Sequence, residues 1–253
     1  FLLSGMLESR FLANGSKMTV IESMLNRNMS VQGKKTVSEL AERSMTAAQL
    51  LEFCRTTLRD KMDKFDAKKT TTNDVVRSVI IPVTRPGDGA PPASASYAAV
   101  HGEKAFPMKM VTHNWNNLFA DLIAAVVADA LGEDSYERIA DKLASREGTE
   151  ELLKELESKG TGSRSYWICA FCVDQHVSIC GPRSPNDNWS PGRLTDTVPD
   201  HAKDPCNCGR KKYVNGDPRC EMDKFDEMMR LLKGKEAAKG SFGQVIAVDR
   251  KFE

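Results

Sequence analysis

The chain has 253 residues, of which 40% are hydrophobic, enough for one sizeable α/β domain and an accessory segment. Its 36 basic and 35 acidic residues leave a net charge of +1, which gives no electrostatic case for nucleic acid or an anionic membrane as partner. The longest apolar stretch, 118–131, is too short for a transmembrane helix and contains Asp121 and Asp129.

Residues 1–84 read as a helical N-terminal segment. Met6 to Leu12 and Met18 to Leu25 are short helical stretches separated by Asn14-Gly15-Ser16. Phe1-Leu-Leu lacks the charged start and sustained apolar core of a signal peptide, and with no initiator Met residue 1 reads as a truncation or processing point. Thr36 to Phe65 carries apolar residues at helical spacing (Val37, Leu40, Leu51, Leu58, Met62), which predicts one amphipathic helix with Ser38 as its N-cap. Thr70-Thr-Thr-Asn-Asp74 is a run of capping residues ahead of a short helix, Val75 to Ile81, that Pro82 should stop. The Pro- and Gly-rich stretch from Arg85 reads as a linker, 85–105.

From residue 106 the order is strand, helix, helix, helix, strand, helix, strand. The first strand is Lys109 to Thr112. A helix from Trp115 to Leu131 is apolar on nearly every face and ends at Gly132. Tyr136 to Ala144 and Thr149 to Ser158, capped by Thr149, are the next helices. The second strand is Tyr166 to Val173. Glu221 to Lys233 is helical, and Gln244 to Val248 is the third strand. This alternation implies a parallel sheet with crossover helices, in which apolar strands are buried on both faces. Cys180 to Arg219 is a polar insertion, and 180–220 holds four of the seven cysteines.

The first strand ends in Thr112-His-Asn-Trp115, and the second reads Tyr166-Trp-Ile-Cys-Ala-Phe-Cys-Val-Asp-Gln-His176. With the strand Gln244-Val-Ile-Ala-Val-Asp249, these segments resemble the TIR-like (Toll/interleukin-1 receptor-like) domains of uncharacterised algal and protist proteins over residues 106–253. In that family the first motif has Ser where Thr112 stands. The resemblance implies a flavodoxin-like, three-layer α/β domain that is incomplete at its C-terminus. TIR domains that cleave NAD use a Glu on the helix after the last strand, and Glu253 is not placed to be that residue. The expected role is therefore a protein-interaction or scaffold module, or a subunit peripheral to a larger assembly. The alternative is an NAD-cleaving hydrolase whose catalytic helix follows residue 253.

An odd number of cysteines, two of them in an apolar strand, argues against a secreted disulfide framework. The expectation is an intracellular, reducing compartment, the cytoplasm or an organelle, with protein partners. His176-x-x-x-Cys180, Cys206-x-Cys208 and Cys220 offer soft ligands for a structural zinc ion, which would tie down an insertion too polar to fold by burial. His113, Trp115, Asp174 and Gln175 lie at C-terminal strand ends, where α/β sheets bind ligands, and are candidates to line a crevice. No catalytic residue is assigned, because no nucleophile is paired with these histidines. Cys169-x-x-Cys172 is read as non-redox, because residues three apart on a strand face opposite ways.

Overall fold

A computed structural model describes residues 28–85, 96–181, 194–199, 206–237 and 242–248. The short helices expected before residue 28 and residues 86–95 of the expected linker lie outside this set; the rest of that linker is not loop but forms a short helix, Tyr97–His101, and a strand, Glu103–Lys104. The chain divides into two compact units, Phe1–Ala41 with Tyr213–Phe242 and Glu42–Lys212 with Gly243–Glu253. This division falls elsewhere than the expected linker at 85–105. In the first unit, helix α1 (Val31–Ala41) packs on a second helix, Phe225–Ala237, where Met228, Leu231 and Leu232 are fully buried. Thr36 Oγ1 donates to the Pro218 carbonyl at 2.9 Å within the same unit.

The larger unit is mixed α/β around a five-stranded, mostly parallel sheet. Its strands are β1 (Arg43–Thr46), β2 (Glu103–Lys104), β3 (Lys109–His113), β4 (Ser165–Ile168) and β5 (Gly243–Ala247), in the order β2-β1-β4-β3-β5. Strand β3 pairs in parallel with β4 on one side, Met110 opposite Trp167, and with β5 on the other, Val111 opposite Val245. Strands β1 and β2 add an antiparallel flank, with Met45 opposite Tyr166.

Several expectations need correction. The helix expected over Thr36 to Phe65 is broken by β1. Helix α1 ends at Ala41, the four buried residues of β1 follow, with Arg43 and Ser44 paired to β2 and Met45 and Thr46 to β4, and α2 (Ala47–Phe53) then starts at its cap Thr46. Thr46 accepts the Gln49 N–H, and the Gln49 side chain returns to the Thr46 N–H, so a capping box sets the helix start. Ser38 lies inside α1 and caps nothing at its start. The apolar spacing survives the break, which is why periodicity alone reads through it. Helix α2 continues as a π-helical segment, Cys54–Leu58, and a last turn, Arg59–Lys61.

The second correction concerns the strand expected over Tyr166 to Val173. Strand β4 stops at Ile168, and Cys169–Cys172 forms a helical turn. Phe171 on that turn stacks edge-on against Phe53 (ring centres 5.1 Å apart) and Tyr97 (5.6 Å), so aromatic packing holds the bend. Third, strand burial on both faces holds for the centre of the sheet but not for β5. Trp167 is fully buried, whereas Ile246 on the edge strand β5 is 66% exposed.

The long apolar helix runs Phe119–Leu131 and ends at Gly132. Near its end Asp129 accepts from Lys109 Nζ (2.5 Å) and Tyr166 Oη (2.8 Å), which ties the helix to the starts of β3 and β4. The following helices are Glu137–Lys142 and Arg146–Ser158, the latter capped by Ser145 and not by Thr149.

Thr71 caps α3, which comprises Thr72–Val75, a π-helical segment Val76–Ile80 and a last turn Ile81–Val83. Pro82 does not stop it. In the wide turn the Ile81 N–H reaches Val76, five residues back, and the helix absorbs the missing proline donor in its last turn. Asp74 is fully buried and accepts from the Thr71 N–H and Oγ1 and from the Thr195 N–H and Oγ1, all at 2.7–3.0 Å. The α3 cap therefore also anchors the insertion at Thr195. Asp74→Ala should destabilise the protein by about 3 kcal/mol, since four donors lose their acceptor. Denaturant unfolding measures the loss, and amide exchange should show residues 194–199 loosening first.

Candidate metal centre

The site begins where β4 turns. Gln175 Nε2 donates to the carbonyls of Cys169 and Ala170, both at 3.2 Å, and fastens the helical turn to the next short helix, Gln175–Ser178. Asp174 caps that helix, with Oδ1 accepting the His176 N–H at 2.9 Å. Its Oδ2 takes Arg210 Nη1 at 2.8 Å, and the carboxylate is almost fully buried. The charge-assisted pair brings the far end of the insertion against the helix start.

His176 is fully buried. Its Nε2 lies 3.2 Å from Thr84 Oγ1, whose own proton goes to the Ile80 carbonyl at 2.6 Å. Thr84 must therefore accept from Nε2–H, leaving the Nδ1 lone pair free. Nδ1 faces Cys180 Sγ at 3.5 Å and Cys206 Sγ at 3.7 Å, and Cys180 Sγ lies 3.5 Å from Cys208 Sγ. The four donor atoms of His176, Cys180, Cys206 and Cys208 all lie within 4.8 Å of one another, and the group could hold a metal ion. It is not a disulfide: the cysteines are free, and a bonded pair would need about 2.05 Å.

The backbone is shaped for this approach. A Cβ on Gly181 would come within 3.1 Å of the Cys206 carbonyl, so the chain after Cys180 runs close under the Cys206 loop. Gly209 sits at φ 66°, which turns the chain directly after Cys208. From Cys206 to Lys212 the even-numbered residues turn inward. Cys206 and Cys208 join the cluster, Arg210 meets Asp174, and Lys212 Nζ reaches the His176 carbonyl at 2.7 Å. Asn207, Gly209 and Lys211 are exposed between them. This period-two pattern, Cys-x-Cys-x-Arg-x-Lys, was legible in the sequence. Arg210, Lys212 and Thr84 are the supporting residues that sequence reasoning missed.

Burial and neighbouring charges act differently on the donors. Burial lowers the His176 pKa against the pull of Asp174, which keeps the imidazole in its neutral, ligating form. Burial pushes the Cys180 thiol up to about 12, reinforced by Cys208. Burial also works to raise Cys208, but the Arg210 N–H and the neighbouring thiols outweigh it, and its pKa is lowered.

Four of the five proposed ligands converge. Cys220 belongs to the other unit, where it is buried 3.9 Å from Asn215 Oδ1, and is not among the four. Of the crevice candidates, Asp174 and Gln175 are buried supports, bonded to Arg210 and to backbone carbonyls. His113 and Trp115 meet at Cys169, a residue assigned only to the strand: Trp115 Nε1 donates to Sγ at 3.2 Å and His113 Nε2 lies 3.8 Å away. Burial pushes this thiol up to about 11 and His113 down to about 4, so the pair is neutral and unactivated. The Cys-x-x-Cys motif occupies a helical turn, which removes the strand argument against a redox role. The sulfurs diverge all the same. Cys169 faces the end of β3 and Cys172 faces the Arg43 carbonyl on β1, strands on opposite flanks of β4.

Among the described residues no helix is long and apolar enough to cross a membrane. Comparison with known proteins found no matching family model, curated protein or solved structure.

His113 makes stability depend on pH. An unfolded imidazole titrates near 6.5 and the folded one near about 4. Between those values the unfolded chain holds the extra proton, so this contribution is complete above 6.5 and is lost as pH falls towards 4. The stability difference between wild type and His113→Gln, measured by denaturant titration, should shrink on acidification through that window. A difference that stays flat would show that His113 is not held neutral.

Proposed function

We propose that the chain is a TIR-like α/β module, stapled by a structural zinc ion, that works as a protein-interaction or scaffold unit. The observation that carries this reading is the closed set of three thiols and one imidazole. Around zinc at about 2.3 Å to sulfur and about 2.0 Å to nitrogen, tetrahedral geometry puts sulfur–sulfur edges near ~3.7 Å and sulfur–nitrogen edges near ~3.5 Å. The distances of 3.5 Å between Cys180 and Cys208 and 3.5 and 3.7 Å from His176 Nδ1 fit those edges. Four protein ligands leave no position for a substrate or a reactive water, which favours a structural centre over a catalytic one.

The flavodoxin-like reading is supported by the order β4-β3-β5. With β3 first in this parallel run, it is the 2-1-3 order of such sheets. The interaction reading is supported by β5, an edge strand that exposes Ile246, and by the neutral, unactivated state of Cys169 and His113 at the strand ends.

The test starts with elemental analysis, which should find one zinc per chain. Chelation should lower the melting temperature and open residues 206–212 to protease, and Cys206→Ser should do the same. Metal-free protein with unchanged stability would end the zinc reading. For the interaction role, wild type and Ile246→Lys are used in parallel as bait, and a partner retained only by wild type is expected. Robust nicotinamide release from NAD by this chain would replace the scaffold reading with the hydrolase.

A further inference from the structure

Three thiolates and a neutral imidazole around Zn²⁺ leave a net charge of −1 on the complex, since three negative charges meet two positive ones. That excess has to be offset where water is largely excluded. Two cations approach the cluster. Arg210 is committed to Asp174, an almost fully buried carboxylate at 2.8 Å. Lys212 makes no ion pair with a carboxylate among the described residues. Its Nζ is held by the His176 carbonyl (2.7 Å) and the Arg210 carbonyl (3.1 Å), and it donates to Cys180 Sγ at 3.4 Å. All three donors of the ammonium thus have acceptors, and one acceptor is a proposed ligand sulfur.

We propose that Lys212 is the electrostatic counterpart of the metal centre, offsetting its negative charge and drawing electron density from the Cys180 thiolate so that the complex is tight and chemically inert. The proposal rests on the zinc reading above and deepens it. An N–H donated to a ligating sulfur makes it a poorer nucleophile and a poorer electron donor to the metal, while the ammonium charge lowers the energy of the bound complex. Lys212 is therefore a positioning residue, not a ligand. A residue that only fastens the loop would leave the electronic character of the sulfur unchanged, and that difference is measurable.

The experiment compares the whole chain as wild type, Lys212→Met (no charge, no donor), Lys212→Gln (donor without charge) and Lys212→Arg (charge and donors). Zinc affinity is read by competition with a chromogenic chelator. The sulfur is read through the thiolate-to-metal charge-transfer band of the Co²⁺-substituted protein. Lys212→Met should lose about 10- to 100-fold in zinc affinity and shift the band to lower energy. Lys212→Gln should lose affinity with a smaller band shift, and Lys212→Arg should recover affinity towards wild type. Wild-type affinity and an unshifted band in Lys212→Met would overturn the proposal while leaving the zinc reading intact. A wild type that binds neither zinc nor cobalt would remove both. If the two neutral variants fail to fold with zinc present and Lys212→Arg folds, the charge is the deciding property and the proposal stands. If all three fail, Lys212 is a mechanical clamp and the proposal falls.

Discussion

A polar segment with little apolar surface cannot hold its place by burial, so it must be bonded to something already fixed. In this protein the fixed object is His176. Its ring is buried, its Nε2–H is committed to Thr84, and its backbone N–H is committed to Asp174. Everything ordered between Cys206 and Lys212 refers back to that helix start, through two thiols, the Arg210–Asp174 pair and the Lys212–carbonyl bond. Such a buried polar network is high-stakes. Fully satisfied, it specifies one arrangement; with one member removed, it leaves desolvated groups without partners.

The sheet makes His176 a fixed point. Strand β4 lies between β1 and β3 and contributes the fully buried Trp167. Its abrupt turn at Cys169 is held from below by Phe171 among Phe53, Tyr97 and Phe119. Gln175 then carries that rigidity forward by bonding back to Cys169 and Ala170. Asp174 and Gln175, expected to line a crevice, are in this way the frame that aims the four soft donors. The insertion has a second anchor, in which Thr195 and Thr197 join Asp74 and Thr70 at the start of α3. Both anchors act on α3, one at its first turn and one, through Thr84, at its end.

The sequence was most legible where one signal acted alone. The apolar helix ending at Gly132, the threonine-rich cap before Asp74 and the parallel strands β3 and β5 stand close to their expected places, because periodicity and capping chemistry were unopposed there. It was least legible where two signals overlapped. Strand β1 hides inside an apolar spacing that suits a helix, and only Thr46-Ala-Ala-Gln49 marks the restart. The turn at Cys169 hides inside a β-like apolar run, because aromatic packing on Phe53 overrides the local preference. In the candidate metal centre, soft-ligand chemistry picked out four residues that converge and one, Cys220, that lies in the other unit. Composition cannot say which donors meet, since that depends on the path of the insertion.

The π-helical segment Val76–Ile80 has a consequence for how this centre can change over time. A π-turn is equivalent to one extra residue inside an ordinary helix, so deleting one residue there would regularise the helix without breaking it. The wide turn takes up its extra residue locally, so Thr71 and Asp74 before it and Thr84 after it would keep nearly the same orientation, and Thr84 would still face His176 Nε2. A one-residue insertion or deletion elsewhere in α3 has no such outlet. It advances the following residues by about 100°, which would carry Thr84 away from the ring and leave the imidazole without the partner that holds its Nε2–H.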